Sequence, residues 1–146
     1  IIQDLIAPEG LRAMALKRGL ESFNADHLAP LCDAAGWPHV SIADDLSIVY
    51  GTRAYRWLSG SQKWIVNAIL QIAVARADGS QMVILDGADI CDAGNRNKLF
   101  KLLTQIGIEA LIGMTFNKPE QLPPLADSDL GERFWMREGK SEEIAA

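Results

Sequence analysis

The sequence predicts an α/β fold with a parallel sheet core, flanking helices and an antiparallel hairpin. Three observations carry that expectation. An unbroken aliphatic run, Met82–Leu85, has the composition of a strand buried on both faces, and 110–116 reads as a second buried strand. Between them Leu99, Leu102, Leu103 and Ile106 recur at helical spacing, so strand, helix and strand imply a right-handed parallel crossover. Upstream, Val40 and Ile42, then Leu46, Ile48 and Tyr50, alternate with other residues on either side of Ala43-Asp44-Asp45, the pattern of a hairpin and its turn.

The remaining elements follow from local chemistry. Pro8-Glu9-Gly10 reads as a helix start, and Leu16, Leu20, Phe23 and His27 then share one stripe that should pack on a core. Asp26 is placed to cap a second helical piece with Pro30 in its first turn, and Gly36-Trp37-Pro38 ends that piece. Gly51-Thr52 reads as a turn and 54–57 as a short third strand. A helix should begin at Ser59 and run to about Ala77. Its polar residues Lys63, Asn67 and Gln71 are spaced four apart and leave only one narrow wet stripe. Asp78-Gly79-Ser80 turns the chain into the first aliphatic run, Asp92 can cap the next helix, and Gly107 ends it. Residues 117–129 read as a Pro-rich loop, Phe134-Trp135-Met136 as a last strand, and Lys140 onward as a frayed tail.

Bulk properties narrow the function. A chain of 146 residues, 49% hydrophobic, suits one domain spanning 1–146. A net charge of −5 argues against a surface that grips nucleic acid everywhere. Cys32 and Cys91, the only cysteines, stand in apolar contexts, which points to a reduced, cytoplasmic setting over a disulfide scaffold. The most apolar run, 64–77, is too short for a bilayer and is broken by Asn67, Gln71 and Arg76, so no membrane partner is expected. The first residue is Ile1, not Met, which suggests a piece of a longer chain.

The stretch Leu58-Ser59-Gly60-Ser61-Gln62-Lys63 carries the first chemical signal. A serine and a glycine at a helix start offer a hydroxyl, free N–H groups and the positive end of the helix dipole, all suited to an anionic phosphate. Lys63 adds a cation one turn in. Taken alone, a serine cap with a permissive glycine explains the stretch better. Asp86 is the second signal. A carboxylate at the C-terminal tip of a parallel strand sits where open α/β sheets bind ligands, and can hold Mg2+ beside a phosphate. Taken alone, a turn aspartate is the better account.

Order and spacing change the balance. The series from LSGSQ through a long helix, an apolar strand ending in Asp, a short acidic loop, a helix and a second apolar strand resembles the C-terminal lobe of an ABC-type ATPase head. The class is that of SMC, RecN and SbcC, and bacterial or phage SbcC-like ATPases resemble it most. The resemblance covers most of the chain, and the segment 7–24 resembles the helix that leaves the coiled coil in such proteins. It implies a partial P-loop NTPase fold whose P-loop lobe lies outside this chain. Leu58-Ser59-Gly60-Ser61-Gln62 would form the signature, whose Ser59, Gly60, Ser61 and Gln62, with Lys63 one turn in, would touch ATP held by a second head. Met82–Leu85 with Asp86 would be the Walker B strand, with Asp86 serving Mg2+ and catalysis. Ile90-Cys91-Asp92 would be the D-loop, and Thr115 would offer a hydrogen bond to phosphate. The implied partners are the P-loop lobe, a second head in a homodimer, and DNA through the full assembly.

Departures from the pattern set limits. No GxxxxGK[ST] occurs in these residues. Gly87 stands where the catalytic Glu follows the Walker B Asp, and glycine cannot act as a general base. Asp89 can substitute only if the loop bends it inward. Met114-Thr115-Phe116 stands where the switch histidine belongs. The alternatives are a degenerate, non-catalytic interaction module and a stand-alone small-ligand domain. Outside the motifs, His27 and His39 read as packing or surface residues, and Cys91 beside two aspartates as an unreactive thiol. Trp57 and Trp64 read as packing or interface residues, Arg53 and Arg56 as an exposed strand edge, and Arg96, Lys98 and Lys101 as a solvated helix face.

Overall fold

A computed structural model describes residues 10–123 and 131–144. Pro8 and Glu9 of the expected helix start, and the second half of the Pro-rich loop, lie outside the described residues.

Helix α1, Leu11–Phe23, buries none of its residues. The expected core stripe is corrected here: Leu16 is 50% exposed, and contact with the core comes only at the end, through Phe23. His27 is half-buried against the Phe23 ring, the centroids 5.2 Å apart. The chain then widens into a π-helical turn, Asn24–Leu28, and continues without a break into helix α2, Ala29–Ala35. Asp26 therefore caps nothing. Its carboxylate accepts a 2.6 Å bond from the Ser22 hydroxyl. π-turns recur where a side chain must be re-aimed. This one lets the Asn24 amide clasp both backbone groups of Ile42, at 2.8 and 2.9 Å. Gly36 ends α2 with φ 63°, a left-handed conformation that glycine adopts without a Cβ clash.

Strands β1 (Val40–Ile42), β2 (Ile48–Tyr50) and β3 (Arg53–Ala54) form an antiparallel meander, with Val40 opposite Tyr50. Two expectations shorten. Leu46 lies in the turn with φ 64° and is not part of β2. The third strand ends at Ala54, because Tyr55–Trp57 coil into a 3-10 turn that redirects the chain into the next helix.

Helix α3, Gly60–Asp78, is the structural axis. Ile65, Val66, Ala68, Ile69, Ile72, Ala73 and Ala75 are buried, while Asn67 and Gln71 lie on the exposed stripe as their spacing predicts. Strand β4 (Met82–Leu85) pairs in parallel with β5 (Glu109–Ile112) across helix α4 (Ala93–Ile106). Helix α2 packs on α4, with Trp37 Nε1 donating to Asn95 Oδ1 at 2.8 Å. The core joins Leu28, Leu31 and Cys32 to the α3 face, to Val83 and Leu85, and to Leu99 and Leu102.

Burial of the parallel pair differs from expectation. Val83 and Leu85 face the core, but Met82 (55%), Ile84 (59%) and Leu111 (63%) are exposed. One face of this sheet is therefore apolar and bare, and the regular strand stops at Ile112, short of the expected 116. A shallow pocket of about 400 Å³ lies along the same flank between α3 and β4, lined in part by Leu70, Val74 and Met82. The expected last strand is present as β6, Phe134–Arg137, but it pairs with β7, Lys140–Glu143, where a frayed tail was expected. Glu138 and Gly139, with φ 51° and 76°, form the connecting turn. Among the described residues no helix is long and apolar enough to cross a membrane. Both cysteines are free and buried.

Candidate functional site

The start of α3 and the loop after β4 form one packed unit. Ser59 is the N-cap of α3, and its hydroxyl accepts from Gln62 N–H at 3.3 Å while the Gln62 side chain accepts from Ser59 N–H at 3.1 Å. This capping box satisfies two helix-end donors reciprocally. It also commits the side chains of Ser59 and Gln62 to each other. Ser61 Oγ lies 3.2 Å from Ser59 Oγ, and the Lys63 ammonium rests 5.7 Å from the centre of the Tyr55 ring. Gly60 is exposed, and a Cβ there would lie 3.1 Å from Ile90 Cδ1. A glycine thus allows close approach of the helix start to the loop after β4.

That loop holds the acidic groups. Asp86, exposed, follows β4, and its Oδ1 accepts from Gly87 N–H at 2.9 Å. Among the described residues no hydrogen bond is made to Oδ2, which leaves that oxygen open to a cation. Gly87 has φ 74°, so a glutamate here would need a left-handed backbone at a cost of roughly 1–2 kcal/mol. Gly113, just past β5, donates to Leu85 C=O at 2.8 Å and accepts from Ala88 N–H at 3.0 Å, placing it against the Asp86 carboxylate. Asp89 is exposed, and its Oδ1 accepts from Thr115 N–H at 3.1 Å. Two residues expected separately at the site are thereby joined.

Asp92 is committed elsewhere. It caps α4, with Oδ1 accepting from Asn95 N–H and Oδ2 from Asn95 Nδ2, both at 2.8 Å. The Asn95 backbone bond, then the Asn95 side chain, hold its carboxyl below the usual carboxylate range. A depressed folded-state pKa adds stability that is present above the unfolded value and lost as pH falls through the folded one. Wild type is therefore expected to lose its advantage over Asp92→Asn as pH falls below about 4. Urea midpoints for the two, followed from about pH 5 to about pH 2.5, should converge; a constant gap would remove the assignment. Burial, and next the neighbouring Asp92, push the Cys91 thiol up, which agrees with an unreactive sulfur.

Two contacts were not foreseen. Trp64, expected as a packing or interface residue, donates Nε1–H to the Asp86 carbonyl at 2.7 Å. Arg96, expected on a solvated face, is half-buried; it donates to the Cys91 carbonyl and lies 5.8 Å from the centre of the Phe116 ring. Helical spacing places Arg96 on the first turn of α4 facing the loop, but nothing in the sequence states that the loop folds back to meet it. Trp57 is 72% exposed, with the Arg56 guanidinium 5.2 Å from its ring centre, so it does not pack in this core. His39 is exposed and bonded to Asp33 at 2.8 Å, away from any metal-binding cluster. Among the described residues no group of three His, Cys, Asp or Glu is assembled to hold a metal. A Mg2+ site needs no such cage, since one or two carboxylates and substrate phosphates suffice.

Comparison with solved structures places this fold. A chain of an SMC ATPase, from work on ATP-driven dimerization and DNA-stimulated activation, superposes with a TM-score of 0.60 at 13% identity, over 90% of this chain and 88% of that one. The SMC head domain from Thermotoga maritima superposes with a TM-score of 0.51 at 19% identity, over 92% of this chain and 49% of that one. No protein-family model matches the sequence, and no curated protein is significantly similar to it. The fold is similar to that of SMC ATPase head domains, a likeness of fold alone at these identities.

Proposed function

We propose that this chain is the C-terminal part of an SMC- or SbcC-like ATP-binding head, and that it completes a composite ATP site when two heads associate. The observation that carries the reading is the placement of the LSGSQ helix start directly on the loop that follows Asp86, within an SMC-like fold. The bare apolar face of Met82, Ile84 and Leu111 supports a second half of the head, carrying a P-loop, that covers it.

In this reading Gly60 N–H and the Ser59 cap face the phosphates of nucleotide held by the opposite head, and the dipole of α3 favours that negative charge. Asp86 holds Mg2+ through its open oxygen. Mg2+ and ATP bring the charge neutralisation and the phosphoryl group on which hydrolysis depends. Asp89, held by Thr115 N–H, is the carboxylate left to orient water, since Gly87 offers none. Turnover is accordingly slow, and bound ATP acts mainly as a clamp. The setting is DNA repair, recombination or phage DNA processing, with DNA engaged by the full assembly.

The test uses the full-length protein that carries this segment. Ser59→Arg puts a long cation where the opposing phosphate must approach. ATP-induced dimerisation, read by light scattering, should be lost while the fold persists. A second reading, a degenerate interaction module, rests on Gly87 and on Phe116 near the strand end. It predicts no ATP-induced dimer in wild type and no effect of the substitution.

A further inference from the structure

We infer that Trp64 is a positioning residue that lets the signature helix set the orientation of the Asp86 carboxylate. The inference rests on the proposed head function and specifies how its two half-sites communicate.

The geometry concerns one peptide group, that joining Asp86 to Gly87. Its carbonyl accepts from Trp64 Nε1–H at 2.7 Å, and its N–H donates to Asp86 Oδ1 at 2.9 Å. A trans peptide is rigid, so its C=O and N–H turn together. Rotating this plane moves the carbonyl away from the indole and the N–H away from the carboxylate in the same motion. Trp64 on α3 therefore fixes the peptide, and the peptide fixes the carboxylate. Gly87 makes this arrangement possible. Its φ of 74° sets the turn in the left-handed region that glycine adopts freely.

Two further contacts tie the same elements. Gly60 is in close approach to Ile90, and Cys91 Sγ lies 4.0 Å from Ser61 C=O. The first turn of α3 and the loop 86–91 are thus packed against each other. Trp64 stands five residues after Ser59, about one and a half turns along the same helix. A shift of α3 on meeting phosphate from another head would reach the Asp86 carboxylate through the two hydrogen bonds of this one peptide. Trp57, on the same side of the sequence motif but highly exposed, makes no such link.

Trp64→Phe tests this in the full-length protein. It keeps the aromatic packing and removes the donor. The expected result is a Mg2+ concentration for half-maximal ATP binding raised by roughly fivefold to tenfold, with binding restored at high Mg2+. Ile72→Ala, which weakens only the core, should lower thermal stability and leave that Mg2+ midpoint unmoved. A Trp64→Phe protein with the wild-type Mg2+ midpoint overturns the inference while leaving the head reading intact. Equal Mg2+ shifts in Trp64→Phe and Ile72→Ala reduce Trp64 to a packing residue and overturn it too. Wild-type protein that binds no Mg-ATP overturns the head reading, and this inference with it.

Discussion

Ile72→Ala is expected to destabilise the fold by about 2–5 kcal/mol, the range for buried aliphatic truncations. Ile72 is 0% exposed and lies within α3, which touches the π-turn, α2 and β4. Truncation removes apolar contact on several sides at once. The neighbours that would have to collapse into the void belong to different elements, so relaxation is limited. At this size the loss corresponds to a fall in Tm of roughly 10 °C. Val74→Ala, two residues along the same helix but 53% exposed, should change stability by less than about 0.5 kcal/mol. Chemical denaturation of both variants checks the contrast. Equal losses would mean that the exposed flank of α3 is already covered, for example by self-association.

Much of the scaffold is legible because its signals are local. Ser59 and Gly79 bracket α3, Asp92 and Gly107 bracket α4, and the alternation around Ala43-Asp44-Asp45 gives the hairpin. Each is a capping or pleating effect settled within a few residues. The misplaced elements lack such signals or carry conflicting ones. The π-turn at Asn24–Leu28 exists because Asn24 must reach Ile42, a partner 18 residues away. Strand β7 has no apolar face, and its only sequence mark is the Glu138-Gly139 turn beside it. The aliphatic runs of β4 and β5 announce burial on both faces, yet the described residues cover only one. Composition records that a face must be covered and does not record which residues cover it.

The candidate site divides in the same way. The positions of Ser59, Gly60 and Asp86 follow from the motif order, because each sits at an element boundary. The pairing of Asp89 with Thr115 does not, since it spans 26 residues and depends on the bend at Gly87. Nor does the bond from Trp64 to Asp86: an indole N–H in an apolar helix has no sequence mark that names its acceptor.

Gly113→Ala is the second large expected effect, and it is a functional one. Gly113 is not in the left-handed region, so alanine is compatible with its backbone. The obstacle is space. A Cβ would collide with Asp86 Oδ1 and stand 3.3 Å from Asp86 Cγ and 3.4 Å from Asp86 Cα. Gly113 cannot retreat, because its N–H is bound to Leu85 C=O and its C=O to Ala88 N–H. The Asp86 carboxylate must move instead, which strips Gly87 N–H of its acceptor. Overpacking of this kind costs about 1–3 kcal/mol of stability. Under the proposed head function the larger effect falls on the metal: displacing its carboxylate should weaken Mg2+-dependent ATP binding by about 10–100-fold, as loss of a supporting contact does at other metal sites. Gly107→Ala provides the opposite case. It has open space around it but φ 66°, so strain of roughly 1–2 kcal/mol should lower Tm without touching nucleotide binding. Measured together in the full-length protein, the two alanines separate loss of fold from loss of site. If Gly113→Ala binds Mg-ATP as wild type does, the Asp86 carboxylate is not what holds the metal.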